Sequence, residues 1–245
     1  MERLLAATAS AEDQHFWFLG LRRFAQIMLD DALPATRPLR IIDCGAGTGR
    51  NLDWLQRYGW AFGVELSPAG IAIAQRHGRR VVRGNVAALP CADASFDVAT
   101  SFDVIYSLDD ETERRALAEM HRVLKPGGIV LINAAALDIL QGSHSALANE
   151  RRRYTAARLR AKLSAAGLDV MRMSYTNMTT LPITLAVRLA QRVLGQGEQA
   201  GEAEMTVPPT PINAILAGAL RLEAVALRLA SLPLGSSVMC VARRT

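Results

Sequence analysis

The sequence predicts an α/β fold in which helices cover both faces of a mostly parallel sheet. Three observations predict it. Short apolar runs alternate with amphipathic ones from Arg40 to Val130. The amphipathic stretches are long enough to be the crossover connections that parallel pairing requires. Cap and turn residues fall where each run changes its period.

The elements follow in order. Ile41-Ile42 opens a strand that ends at Asp43. Leu52, Leu55 and Tyr58 then fall at helical spacing, and Gly59 is placed to stop that helix. Trp60 to Leu66 reads as the second strand. Ser67-Pro68 is an N-cap followed by proline at the first helical position, and Gly78 closes that helix. Val81-Val82 marks the third strand and Asp97 to Ile105 the fourth. Asp109-Asp110-Glu111 puts negative charge at a helix start, where the macrodipole favours it, and Leu117, Met120 and Leu124 form that helix's buried stripe. Ile129 to Ala134 is the fifth strand. A helix over Tyr154 to Gly167, a sixth strand over Leu168 to Tyr175 and a last strand over Ser237 to Val241 complete the sheet. Two apolar helical segments, Leu181 to Leu194 and Ile212 to Leu229, interrupt the alternation before that last strand.

With 245 residues, the chain fits one domain with a sizeable elaboration. The expected division is N-terminal cap helices (1–36), a core (37–176), a helical insertion (177–234) and the last strand (235–245). Half the residues are hydrophobic and 21% are charged, a globular composition. The net charge of +5 and the sequence pI of about 9.6 raise nucleic acid as a partner. The basicity is almost all arginine and is dispersed rather than gathered on one stripe, so no nucleic-acid partner is expected. Cys44, Cys91 and Cys240 are far apart, which fits a reducing, cytoplasmic setting and argues against structural zinc. No metal site is expected. No apolar run reaches the ~18 residues of a membrane-spanning helix.

The chemistry concentrates in Asp43-Cys44-Gly45-Ala46-Gly47-Thr48-Gly49-Arg50, between the first strand and the next helix. Glycines there let the backbone approach a ligand, and a helix N-terminus offers unpaired N–H groups. The dinucleotide fingerprint would need glycine where Arg50 stands, which weakens a nicotinamide reading without removing it. The second strand ends in Glu65, where an acid can accept hydrogen bonds from both ribose hydroxyls.

Further motifs lie at fixed intervals. They are Arg83-Gly84-Asn85-Val86-Ala87-Ala88-Leu89-Pro90, Ser95-Phe96-Asp97-Val98 and Glu119 through Leu124-Lys125-Pro126-Gly127-Gly128. Over Leu39 to Asn133 the chain resembles a class I S-adenosylmethionine-dependent methyltransferase, and Glu12-Asp13-Gln14-His15-Phe16-Trp17-Phe18 with Arg22-Arg23 resembles the leading helix of the ubiquinone/menaquinone-like subgroup. The resemblance implies a Rossmann-like three-layer sandwich whose seven-stranded sheet ends in an antiparallel C-terminal strand. It also implies roles. Gly45, Ala46 and Gly47 would pack against the methionine part of the cofactor, and Asp43 would anchor their loop. Glu65 would hold the ribose. Leu66 and Val86 would sandwich the adenine, and Asn85 would read its amino group in place of the family's common aspartate. Ser101 would line the methionine end. In the leading helix, His15, Trp17 and Arg22 are expected at a cofactor lid, or as packing for that helix.

Methyl transfer from a sulfonium needs alignment, exclusion of water and, for an oxygen or carbon acceptor, a proton acceptor. His144, in the segment after the fifth strand, is the expected base, and Tyr106 the expected pocket residue. Relatives often read Asp-Val-Leu-Glu-His after the fourth strand, whereas this chain reads Asp103-Val104-Ile105-Tyr106-Ser107. The expected acceptor is a small molecule, with a lipid-like one favoured. The insertion over 181–232 is expected mainly as a buried lid or core layer. Dimer contact and peripheral membrane contact are its other readings. A catalytically silent partner protein, a nicotinamide-dependent oxidoreductase and a nucleic-acid methyltransferase are the competing classes.

Overall fold

A computed structural model describes residues 2–33, 38–141, 149–194 and 206–245. Two helices lead, α1 (Glu2–Ala11) and α2 (Phe16–Asp30). Then come β1 (Leu39–Cys44), α3 (Leu52–Leu55), β2 (Gly59–Glu65), α4 (Pro68–Arg76), β3 (Val81–Arg83) and β4 (Phe96–Phe102). They are followed by α5 (Asp110–Val123), β5 (Leu124–Ala135), α6 (Ala156–Ala165) and β6 (Leu168–Thr176). The insertion supplies α7 (Leu181–Leu194) and α8 (Thr210–Leu229) before β7 (Ser237–Arg244).

The seven strands form one sheet in the order β3-β2-β1-β4-β5-β7-β6. The pairs from β3 to β5 are parallel, and β7 runs antiparallel between β5 and β6. Central strands are buried on both sides, as a sheet covered by helices demands. One core joins Ile42, Ala99, Val130 and Ile132 to Leu117 and Met120 of α5 and Leu159 and Leu163 of α6. On the other face, Ile41, Val98 and Leu131 pack with Phe24 and Met28 of α2 and with Leu220 and Leu227 of α8. The reversal of strand order between β1 and β4 creates the crevice at their C-terminal ends where such folds bind ligands.

The caps behave as the sequence indicates. Ser67 accepts from the Gly70 N–H at 3.4 Å, and Asp109 from the Thr112 N–H at 2.8 Å. Four expectations need correction. The fourth strand ends at Phe102, because Asp103 takes a left-handed backbone (φ 59°) that breaks the pleat. The fifth begins at Leu124, which pairs with Phe96, and the Lys-Pro-Gly-Gly turn is an irregularity within that strand. Gly59 does not stop a long helix. It opens β2, and any Cβ there would lie 2.2 Å from the Leu39 backbone. The last correction concerns α8. It buries only Leu220, Glu223, Ala224 and Leu227, against α2 and the loop before α7, and is not buried around most of its circumference.

Candidate active site

The glycine loop leaves β1 with its direction set by neighbouring strands. Gly45 and Ala46 both donate their N–H to the Val64 carbonyl of β2, at 2.8 and 3.0 Å. Gly45 has φ 81°, and a Cβ there would lie 2.4 Å from a Val104 methyl, so only glycine fits. Ala46 in turn needs Gly63, whose added Cβ would meet the Ala46 methyl at 2.4 Å. Glu65, at the end of β2, reaches across this loop. Its two oxygens accept from the Gly47 and Ser67 N–H groups, each at 2.8 Å. A carboxylate oxygen has two lone pairs, so each retains one for a ribose hydroxyl.

Asp43 lies beneath the loop, buried, with one oxygen accepting from the Thr100 hydroxyl at 2.7 Å. Burial pushes its carboxyl up to about 7, against the lowering effect of that hydrogen bond and with a further rise from Glu65. Its other oxygen has no hydrogen-bond partner. Asn133 Oδ1, Thr176 Oγ and Asn177 Oδ1 share that condition. All four sit at the C-terminal ends of β1, β5 and β6, on one rim of the sheet. Buried polar atoms are normally bonded, so this rim suits a ligand rich in hydrogen-bond donors. Asp103, Leu137 and Asn177 follow β4, β5 and β6 with φ between 59° and 64°, so backbone strain gathers on the same rim.

Asp103 is a candidate site residue that sequence reasoning did not weigh. Its N–H donates to the Asn133 carbonyl, and its carboxylate accepts from the Asn133 side chain, both at 3.0 Å. It is half-buried. Burial raises its carboxyl to about 7; the Asn133 hydrogen bond opposes this, Glu150 adds to it and Arg153 opposes it. The sequence signal was an acidic residue directly after a buried strand, at the switch point.

The other expected residues are distributed as follows. Val86 is buried and Leu66 is 59% exposed, beside the Glu65 end of β2. Asn85 is exposed, and its side-chain oxygen already accepts from the Ala87 N–H at 2.9 Å. Ser101 is buried and donates its hydroxyl to the Cys44 carbonyl at 3.1 Å, tying β4 to β1. His15 caps α2 by accepting the Trp17 N–H at 3.2 Å, and Trp17 packs on the α2-side core. Arg22 is buried and donates to the Glu12 carbonyl at 2.6 Å. Glu12 accepts from Thr48 in the glycine loop at 2.7 Å, so these three residues brace the α1–α2 corner against the loop. Leu5 of α1 approaches Gly47 directly. Tyr106 is buried in the α5-side core, and burial holds its phenol well above the ordinary value, which makes it a poor base. His144 lies outside the described residues. Arg152 pairs with Glu113 and Arg153 with Glu150.

A glycine loop over an acid-tipped second strand, on a seven-stranded sheet with an antiparallel β7, defines the nucleotide-cofactor methyltransferases of the Rossmann-like class. Residues 42–132 match the family described as Methyltransferase domain. It is 35% identical over 116 residues to malonyl-[acyl-carrier protein] O-methyltransferase 1 of Coxiella burnetii, covering 47% of this chain and 40% of that one. It is 33% identical to demethylmenaquinone methyltransferase of Renibacterium salmoninarum, covering 45% and 47%. The matched stretch thus spans half or less of those two relatives' length. A solved S-adenosylmethionine-dependent methyltransferase from Thermotoga maritima superposes with TM-score 0.61 at 19% identity, over 97% of this chain and 93% of that one, which shows the shared fold. Among the described residues no cluster of His, Cys, Asp and Glu is placed to hold a metal.

Proposed function

We propose that this chain transfers the methyl group of S-adenosylmethionine to a small-molecule acceptor, with an apolar, lipid-like acceptor favoured. The observation that carries the reading is Glu65. It organises the glycine loop through two backbone N–H groups and keeps lone pairs for ribose hydroxyls. The residues present fit the cofactor: a loop only glycine can form, the orphaned Asp43 oxygen beneath it, and α4 opening beside it. Bound there, S-adenosylmethionine supplies a methyl group already activated by its sulfonium.

The chain's own residues then have three tasks. Gly45 to Gly47 and Glu65 bind and orient. The α1–α2 corner, braced by Glu12 on Thr48, shields the loop from water. Asp103, held by Asn133 on the rim, takes the proton of an oxygen or carbon acceptor as the methyl arrives. A carboxylate with a raised pKa is the better matched base near neutral pH. His144 remains the alternative base. The apolar insertion and the relatives named for malonyl-[acyl-carrier protein] and demethylmenaquinone favour acceptors with an apolar part.

Calorimetry with S-adenosylmethionine and with NAD tests the cofactor. Saturable binding of the first and none of the second is expected, and the reverse would overturn the reading. Transfer of a labelled methyl group into lipid and metabolite extracts then identifies the acceptor.

A further inference from the structure

The outer face of α8 is an exposed apolar feature that the site described above does not involve. Ile215, Leu222 and Leu229 are 71%, 73% and 86% exposed, and Val225 lies among them. At 100° per residue these four, with Gly218 and Ala226, form one continuous stripe. It points away from Leu220, Ala224 and Leu227, which pack on α2. Arg221 and Arg228, one heptad apart and both exposed, run along one edge of the stripe. The only acid on α8, Glu223, is buried and holds the Met178 and Thr179 N–H groups just before α7, at 3.0 and 2.8 Å.

The helix α7 repeats the arrangement in inverted form. Its exposed positions include Ile183, Val187 and Leu189, whereas Arg188 and Gln191 are buried. Burying Arg188 and Gln191 while exposing Ile183, Val187 and Leu189 is the reverse of what water selects. Among the described residues of the two helices, no acid is exposed. Neither helix is long and apolar enough to cross a membrane.

We propose that the outer face of α8 docks on the surface of an anionic lipid bilayer. The apolar stripe Ile215-Leu222-Val225-Leu229 enters the acyl boundary, and Arg221 and Arg228 meet the lipid phosphates. The charge at the edge selects this occupant. Matched antiparallel to a second copy of the chain, this face would set the two Arg221–Arg228 edges side by side, while a surface of phosphates pairs with both. An interfacial helix of this kind lies in the plane of the membrane, with its apolar face buried roughly 5–10 Å. The inference stands whether or not the methyltransferase reading does, because it uses no residue of the glycine loop.

The test is co-sedimentation of the purified full chain with vesicles of phosphatidylcholine, with and without phosphatidylglycerol. Binding to the anionic vesicles is expected, at least tenfold weaker to phosphatidylcholine alone and weaker at high salt. Leu222→Glu with Leu229→Glu should abolish it, and Arg221→Glu with Arg228→Glu should reduce it at least tenfold. These positions are exposed, so circular dichroism should show the native fold in each variant. Equal binding to both vesicle types, or unchanged binding of the Leu222→Glu, Leu229→Glu variant, would overturn the proposal. So would a dimer in analytical ultracentrifugation that this variant dissociates while vesicles are left unbound, because a second copy would then be the occupant.

Discussion

Gly47 donates its backbone N–H to Glu65 at 2.8 Å, so the acid at the tip of β2 is also a strut of the glycine loop. Its removal therefore acts twice, on the ribose contact and on the loop that carries the rest of the site. Hydrogen bonds to charged groups contribute about 1.5–3 kcal/mol each. Glu65→Ala should weaken S-adenosylmethionine binding ten- to a hundredfold in calorimetry. Unchanged affinity would remove Glu65 from the site.

The Gly45 conformation gives a second test. Alanine at this position forces an L-residue to φ 81° and sets its Cβ against Val104. Strained backbone of this kind costs on the order of 1–3 kcal/mol. Gly45→Ala should lower stability by that amount and weaken cofactor binding. Adding Val104→Ala removes the clash but not the dihedral strain, so the double variant should recover only part of the loss. Full recovery would mean that the backbone conformation is not required.

Much of this was legible in the sequence because it rests on local rules. Glycines between a strand and a helix, Ser67-Pro68 at a helix start and Asp109 before an acidic first turn have the same meaning wherever they occur. The division into a sheet and an insertion followed from period alone. Relations across the chain were not legible. Glu12 and Thr48 are 36 residues apart, and their contact exists only because α1 folds over the loop. The bond from the Arg22 guanidinium to the Glu12 carbonyl likewise depends on how α2 meets α1. The left-handed backbone of Asp103 and its bond to Asn133 join residues 30 apart. The outward face of α8 was hidden for a simpler reason. A nearly all-apolar helix does not declare which side faces the protein.

Glu113 carries a structural network that can be tested separately. Fully buried, it accepts from the Tyr154 hydroxyl at 2.7 Å, from Arg152 at 2.5 Å and from Lys162 at 2.9 Å. Removing the acid leaves Arg152 with the exposed Asp110 and the Leu108 carbonyl but takes away buried hydrogen bonds from Arg152 and Tyr154, at about 1–3 kcal/mol. Glu113→Ala should then lower Tm by roughly 2–12 °C, at about 2–4 °C per kcal/mol for a chain of this size. No measurable shift would show that Asp110 alone is partner enough for Arg152.

Asp103 links pH to turnover. A base must be ionised to act, and its carboxyl is raised to about 7. Methyl transfer to an oxygen or carbon acceptor should therefore rise as pH passes through about 7 and level off above it. Asp103→Asn should lose about 10²–10⁴-fold in kcat, the usual contribution of a general base, with the inflection gone and cofactor affinity retained. A variant that keeps both the rate and the inflection would pass the role to His144 or to the acceptor itself.

The same two buried acids set how stability depends on pH. Burial pushes the Asp43 and Asp103 carboxyls up to about 7 in the folded chain, from an ordinary value of 3.8. Between those limits the folded state holds protons that the unfolded state has released, so stability falls as pH rises. The contribution is complete below about pH 4 and is lost as pH passes through about 7. Glu12, also raised by burial, acts in the same direction. Asp13, Asp109 and Glu119 are lowered, by hydrogen bonds from Arg50, Thr112 and Arg122, so their opposite effect falls below the ordinary carboxylate range. Without ligand, Tm should decline from pH 5 to pH 8, and Asp43→Asn with Asp103→Asn should flatten most of that decline. A wild-type Tm that rises over this interval would mean that both carboxylates are ionised at neutral pH. The rim would then carry two negative charges, and Asp103 would have the weaker basicity of an ordinary aspartate.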